Sequence, residues 1–120
     1  GANVSEDFQK LYSIEEENGR ANYFWESAAA LTIEQLYIIA MNQEMFLKNF
    51  IDKDAEDITY RIVLLIDAYE ELSDYNLELR KLYNVLLPLE AIDAISVDQL
   101  RDQLNQIKAQ VEQARATLFL

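Results

Sequence analysis

The sequence predicts an all-α fold, namely an antiparallel bundle of three long helices with an additional N-terminal helix or helix extension, similar to a four-helix bundle. Apolar residues recur at alternating spacings of three and four over long stretches, which is the period of one helix face. The 120 residues include only two glycines and one proline, too few for the turns of an all-β fold. Length and a hydrophobic content of 51% fit one domain, residues 1–120, with its own core.

The first predicted helix covers residues 5–17. Ser5 is a candidate N-cap, and the acidic residues that follow it complement the positive end of the helix dipole. One face of this helix is apolar and carries Phe8, Leu11, Tyr12 and Ile14. Gly19 then either caps the helix at its C-terminal end or marks a weak point within one continuous helix.

The second predicted helix covers residues 22–50. Its main apolar row consists of Trp25, Ala29, Thr32, Leu36, Ile39, Gln43, Phe46 and Phe50. Two further rows widen this stripe, one with Leu31, Ile38 and Met45 and the other with Tyr37 and Met41. A stripe of this width predicts contacts with two or three neighbouring helices.

The third predicted helix has a heptad-like seam that continues for about thirty residues. The seam consists of Ile58, Ile62, Leu65, Tyr69, Leu72, Asn76, Leu79, Tyr83 and Leu86. Asp54 is a candidate cap at its start, and Pro88 ends or kinks it. We interpret Asn76 as a polar seam residue that fixes the register of the helices.

The fourth predicted helix begins at Ser96, where Ser96 and Gln99 have the spacing of a capping box. Its apolar row consists of Val97, Leu100, Leu104, Ile107, Val111, Ala114 and Leu118. A short helical turn is expected between Pro88 and Ala94. The apolar, uncapped end at Leu120 suggests a helix that continues beyond this fragment.

Composition argues against most kinds of enzyme. The chain has no cysteine and no histidine, which removes disulfides, thiolate nucleophiles, imidazole bases and the usual ligands of zinc, haem and iron–sulfur clusters. Two glycines cannot form a glycine-rich phosphate loop. We therefore expect a non-enzymatic protein with no cofactor and no metal. A net charge of −12 with scattered basic residues also predicts no binding to nucleic acid.

Polar residues within the apolar rows are the candidate binding residues. Arg61 lies between Ile58 and Ile62, and it either pairs with an acid at the periphery or points between helices to receive a carboxylate or another anion. Aromatic side chains at helical spacing either line such a cleft or belong to the core. The predicted ligand-binding set is Arg61, Asp67, Trp25, Gln35, Gln43 and Tyr69.

Residues 20–72 resemble the extracytoplasmic helical sensor regions that lie between two transmembrane helices in bacterial histidine kinases and diguanylate-cyclase-type receptors. The resemblance rests on an aromatic start at residues 23–27, a Gln35-Leu36 pair, an acidic loop at residues 52–57, and an aliphatic run from Arg61 to Asp67. Arg61 and Asp67 lie farther apart here than the corresponding residues of the family pattern.

The resemblance implies a signal-input domain cut from a longer membrane protein, on the periplasmic side of a bacterial inner membrane. Such a domain is flanked by transmembrane helices, dimerises with a second copy in the intact receptor, and responds to a small ligand or a partner protein by helix shifts, as in two-component systems. The alternative is a soluble, acidic interaction protein of the cytoplasm. That protein is either a secretion chaperone or adaptor, or an inhibitor that mimics nucleic acid.

Overall fold

A computed structural model describes residues 21–118, and every regular element in this range is helical. The all-α class is therefore confirmed for these residues. The predicted helix at residues 5–17, together with Gly19, lies outside the described residues. The elements in chain order are α1 (Ala21–Met41), α2 (Gln43–Leu47), α3 (Asp52–Leu72), α4 (Leu77–Leu86), a 3₁₀ turn (Leu87–Ala91) and α5 (Val97–Leu118).

Helix α1 is shorter than predicted, because Asn42 interrupts it. The Asn42 backbone leaves the helical region, with φ −133° and ψ 43°, and its side-chain amide donates to the carbonyl oxygen of Ile38 over 2.9 Å. An asparagine that bonds to a carbonyl of the preceding turn competes with the helix for its backbone groups. The chain continues as the short helix α2 rather than as one helix to Phe50.

The predicted second apolar row of α1 does not widen its buried stripe. Leu31, Ile38 and Met45 are 73%, 38% and 64% exposed. Ile33, which belongs to none of the predicted rows, is fully buried. Helix α1 contacts three other helices, α3, α4 and α5, in agreement with the predicted two or three neighbouring helices. Its buried residues are Trp25, Ala29, Ile33, Leu36, Ile39 and Ala40. Tyr37, from the predicted third row, is partly buried and packs against the same core.

The predicted third helix is two helices, α3 and α4, separated by a turn at residues 73–76. Asn76 is the N-cap of α4, and its side-chain oxygen accepts hydrogen bonds from the backbone N–H groups of Glu78 and Leu79, over 2.9 and 3.2 Å. Its interpretation as a register-fixing seam residue was wrong, because the side chain is engaged by the backbone of its own helix. Arg80 Nε donates to the Ser73 carbonyl oxygen over 3.0 Å and closes the turn.

The starts of α3 and α5 are joined by side-chain caps. Asp54 lies in the first turn of α3 and accepts a hydrogen bond from the Ile51 backbone N–H over 2.9 Å, so it caps this end from inside the helix. The neighbouring Asp52 accepts from the backbone N–H of Val97, the first residue of α5, over 2.9 Å. This bond fixes the two helix starts side by side, although 45 residues separate the partners in sequence.

Helix α5 agrees with its predicted row. Ser96 Oγ accepts a hydrogen bond from the Gln99 N–H, and the Gln99 side chain accepts from the Ile95 N–H, so the reciprocal bond of the capping box closes one residue earlier than predicted. The expected short helical turn after Pro88 is the 3₁₀ turn. The residues that α5 buries are Leu100, Leu104, Ile107, Val111 and Ala114.

Helix α1 runs antiparallel to α5. Glu34 lies opposite Arg115, and Gln43, at the start of α2, lies opposite Asn105. Helix α1 also contacts α3, and α3 and α5 contact each other directly. Helix α1 therefore contacts both of the other two long helices.

Candidate functional site

A groove of about 190 Å³ lies between α1 and α3. Its α1 wall consists of Ala28, Leu31, Thr32, Gln35 and Leu36, which share one helix face because they are spaced three and four residues apart. The Thr32 hydroxyl donates to the Ala28 carbonyl oxygen over 2.9 Å, so it is already satisfied within the helix. The amide of Gln35 is thus the polar group that this wall offers to a ligand.

The α3 wall consists of Ile58, Arg61, Ile62, Leu64 and Leu65. Three of these, Ile58, Ile62 and Leu65, are at least 96% buried and form an apolar floor. Leu64 is half-buried, whereas Arg61 is exposed. The groove therefore combines a hydrocarbon floor with one guanidinium and one amide at its rim.

The Arg61 guanidinium has no carboxylate within ion-pair distance among residues 21–118. Asp57, one turn before it, lies beside Lys53, with 3.7 Å between the Asp57 carboxylate and Lys53 Nζ. Other basic residues of this range also lack an ion pair, but Arg61 is the basic residue that lines the groove. Arginine presents a planar fork of donors that fits a carboxylate in a bidentate manner, so the rim is chemically suited to an anion.

The structure brings two of the six predicted site residues, Gln35 and Arg61, to this groove. Trp25 and Tyr69 belong to the core instead, each no more than 1% exposed, with ring centroids 6.2 Å apart and planes at 79°. The Tyr69 hydroxyl donates to the Trp25 carbonyl oxygen over 2.6 Å. Burial, aided by the nearby charge of Glu26, raises the pKa of Tyr69 well above its usual range.

Asp67 and Gln43 lie away from the groove. Asp67 follows Arg61 by six residues, which turns it about 240° around α3. Asp67 is exposed. Burial raises the pKa of Tyr83 on α4, and the charges of Glu70, Glu90 and Asp67 raise it further. Gln43 Nε2 donates to Asn105 Oδ1 over 2.7 Å and so ties the start of α2 to α5. Arg61 and Asp67 therefore do not form a joint site.

A polar contact that no sequence pattern predicted joins α1 and α5. Arg115 Nε donates to Glu34 Oε2 over 2.7 Å, and Nη2 donates more weakly to Oε1 over 3.4 Å. The Arg115 Cζ also lies 4.3 Å from the centroid of the Tyr37 ring. The hydrogen bond to Glu34 raises the pKa of Arg115, although burial acts in the opposite direction. The partners are 81 residues apart, so no local pattern links them.

Comparisons with protein-family models, with curated proteins and with solved structures find no match to this chain. Within residues 21–118, acidic side chains do not gather into a group of three or more that could hold a metal ion. Across the same residues, none of the helices combines the length and apolarity needed to cross a bilayer. The groove, with Gln35 and Arg61 at its rim, is the candidate site that these side chains build.

Proposed function

We propose that this chain is a non-enzymatic signal-input domain of a bacterial transmembrane receptor. A ligand or partner binds in the α1–α3 groove, and the shift of α1 that follows is carried to α5. In this proposal the domain is an antiparallel bundle of the three long helices α1, α3 and α5. The observation that carries the proposal is the position of α1, which presents Gln35 to the groove and the adjacent Glu34 to Arg115 on α5.

The contacts of α1 differ on its two sides. Towards α5, α1 is held by the Glu34–Arg115 pair and the stacking of Arg115 on Tyr37, and the start of α2 is held by the Gln43–Asn105 hydrogen bond. Towards α3, the same helix borders a groove over the two turns around Thr32. An occupant of the groove therefore acts on the α1–α3 spacing, and α5 follows α1. Helix shifts of about 1–2 Å are a known form of signal transmission.

A groove-filling substitution tests this coupling without any ligand. Ala28→Trp places an indole between the walls, and we expect it to push α1 and α3 apart by about 1–2 Å. The chain has no cysteine, so introduced cysteine pairs can be spin-labelled cleanly and their distances measured by electron paramagnetic resonance. One pair, Ile38 with Val63, reports α1 against α3. The other pair, Glu112 with Val63, reports α5 against α3.

Both distances are expected to lengthen in Ala28→Trp. In the double variant Ala28→Trp/Arg115→Gln, the Ile38–Val63 distance should still lengthen. The Glu112–Val63 distance should lengthen less, because α5 then follows α1 less closely. The matched control is Ala109→Trp, which makes the same change on an exposed face of α5. Unchanged distances in Ala28→Trp, or an α5 shift that ignores Arg115→Gln, would contradict the proposed coupling.

The receptor setting is supported by the resemblance of residues 20–72 to membrane-bracketed sensor regions, and it includes a homodimer on the periplasmic side of the inner membrane. The coding sequence on both sides of this chain tests it. Apolar runs of about 20 residues immediately before and after would support a membrane-bracketed domain. A start codon and a stop codon at these two points would overturn the setting.

An acidic, soluble interaction protein is the second candidate function. It is favoured by the exposed apolar row of Leu31, Ile38 and Met45, since a row of this kind suits an apolar client surface. In this case the same groove holds part of the client, as a secretion chaperone or adaptor would. The coding sequence separates the two candidates, because the interaction protein needs no flanking apolar runs.

A further inference from the structure

We propose that the α1–α3 groove binds a small monocarboxylate with a compact apolar body. This inference rests on the proposed function in taking the groove as the input site, and it adds the chemical class of the ligand. The proposal rests on three features of the groove: the charge at its rim, its apolar floor and its volume.

The rim supplies donors for one carboxylate. Arg61 has no ion-pair partner among residues 21–118. Asp57 lies beside Lys53, and Asp67 is about 240° from Arg61 around α3. On the opposite wall, the Gln35 amide adds an N–H donor that suits the same anion. A guanidinium facing a groove that holds no acid of its own complements an external carboxylate.

The floor selects the rest of the ligand. Leu36, Ile58, Ile62 and Leu65 are all buried and apolar. A hydrocarbon body gains by leaving water for this surface, whereas a second ionised group placed there loses its hydration without a partner. One cation over an apolar floor therefore favours one charge on the ligand and disfavours dicarboxylates and amino acids.

The volume limits the size of that body. The groove measures about 190 Å³. An apolar cavity of about 150 Å³ holds one benzene molecule, so this groove accommodates a single ring or a short branched chain together with its carboxylate. Drug-sized ligands occupy pockets of about 300 Å³ or more and are too large. Benzoate has the required size, charge and shape and serves as the probe.

Titration of the ¹⁵N-labelled chain with benzoate, followed by amide chemical shifts, tests the proposal. We expect saturable shifts at residues 28–36 and 58–65, and roughly tenfold or greater weakening in Arg61→Gln, since a hydrogen bond to a charged group has about that effect on binding. Benzamide, which lacks the charge, and terephthalate, which adds a second one, should bind more weakly than benzoate. The control Lys81→Gln removes the same charge from α4 and should leave binding unchanged.

Equal binding of benzoate and benzamide, or no loss in Arg61→Gln, would show that the carboxylate is not what the groove recognises. Terephthalate binding as tightly as benzoate would overturn the restriction to one charge. Absence of any saturable shift in the groove would overturn the ligand class as a whole. The distances measured in Ala28→Trp need no ligand, so none of these binding results affects them. A wrong ligand class can therefore be told apart from a wrong coupling between α1 and α5.

Discussion

The Tyr69 hydroxyl donates a hydrogen bond to the main-chain carbonyl oxygen of Trp25 over 2.6 Å. This bond ties α3 to the first turns of α1 inside the core, where both rings are almost completely buried. Phe24 adds an edge contact, with its ring centroid 4.9 Å from that of Trp25. Helices α1 and α3, which border the groove, are thus held together near the start of α1. We therefore expect any change in the spacing of the groove walls to be smallest at that end.

Tyr69→Phe should lower the free energy of unfolding by about 1–2 kcal/mol, because it removes a buried hydrogen bond and keeps the ring packing. Urea unfolding followed by far-ultraviolet circular dichroism measures the difference. Tyr75→Phe is the control, since Tyr75 is 81% exposed and its loss should cost less than about 0.5 kcal/mol. Equal stability of the two variants would show that the hydroxyl does not hold α1 to α3.

Alkaline pH should weaken the fold through the same tyrosine. Burial raises the pKa of Tyr69 in the folded chain above the value of about 10 that a tyrosine has when unfolded. The folded state then holds a proton that the unfolded state releases, so the stabilising contribution is complete below about pH 10 and is lost as the pH rises further. Unfolding free energies measured at about pH 8 and pH 11 should fall less in Tyr69→Phe than in the parent chain. Identical pH slopes for the two proteins would refute this.

Asn76→Leu distinguishes a helix cap from a seam position. A leucine would extend the apolar seam if Asn76 occupied one, and the variant would be more stable. As the N-cap of α4, the asparagine accepts two backbone hydrogen bonds, so we expect a loss of about 1 kcal/mol on chemical unfolding. Asn76→Asp keeps an accepting oxygen at the cap and should retain the stability of the parent chain. A stabilised Asn76→Leu would restore the seam interpretation.

The Glu34–Arg115 pair should stabilise the packing of α1 on α5 in a salt-dependent manner. Single and double substitutions Glu34→Gln and Arg115→Gln form a thermodynamic cycle that isolates the interaction between the two side chains. We expect a favourable coupling at low ionic strength that shrinks in molar salt, because both side chains are partly exposed. The ion pair Arg101–Asp98 at the surface of α5 is the control and should show weaker coupling. Equal coupling in the two pairs would mean that Glu34–Arg115 is an ordinary surface pair.

Arg61→Ala should leave the fold almost as stable as before. Arg61 is exposed and has no ion-pair partner within residues 21–118, so its removal should change the free energy of unfolding by less than about 0.5 kcal/mol. Thermal and urea unfolding both measure this. A loss above about 2 kcal/mol would instead indicate a buried and paired charge. The small expected change also means that ligand binding can be compared between folded proteins.

Helical periodicity predicted most of the buried surface. The row of α5 is buried from Leu100 to Ala114, and most of the seam of the predicted third helix is buried on α3 and α4. The seam survives the turn at residues 73–76 because Leu72 and Leu79 keep their seven-residue spacing across it. A pattern of apolar positions records which residues face the core, and it is insensitive to a short break between two helices that share that core.

Other features depend on partners that are distant in sequence. Leu31 and Ile33 are both apolar residues of α1, yet only Ile33 is buried, since α3, α4 and α5 pack on its side of the helix. Glu34 belongs to none of the predicted apolar rows, and its contact with Arg115 arises from the antiparallel pairing of two helices. Of the predicted site, Gln35 and Arg61 line the same groove because α1 and α3 border it, whereas helical rotation separates Asp67 from Arg61.

The hydrogen bond from the Val97 N–H to Asp52 makes the first turn of α5 depend on the first turn of α3. Thr59 strengthens this link, because its hydroxyl donates to the Ala94 carbonyl oxygen just before α5 begins, over 2.9 Å. The N-terminal end of α5 is thus held by a residue 45 positions earlier in the sequence, in addition to its local caps from Ser96 and Gln99. Fraying at the start of α3 would remove hydrogen bonds from the start of α5, so we expect amide hydrogen exchange in the two first turns to be coupled.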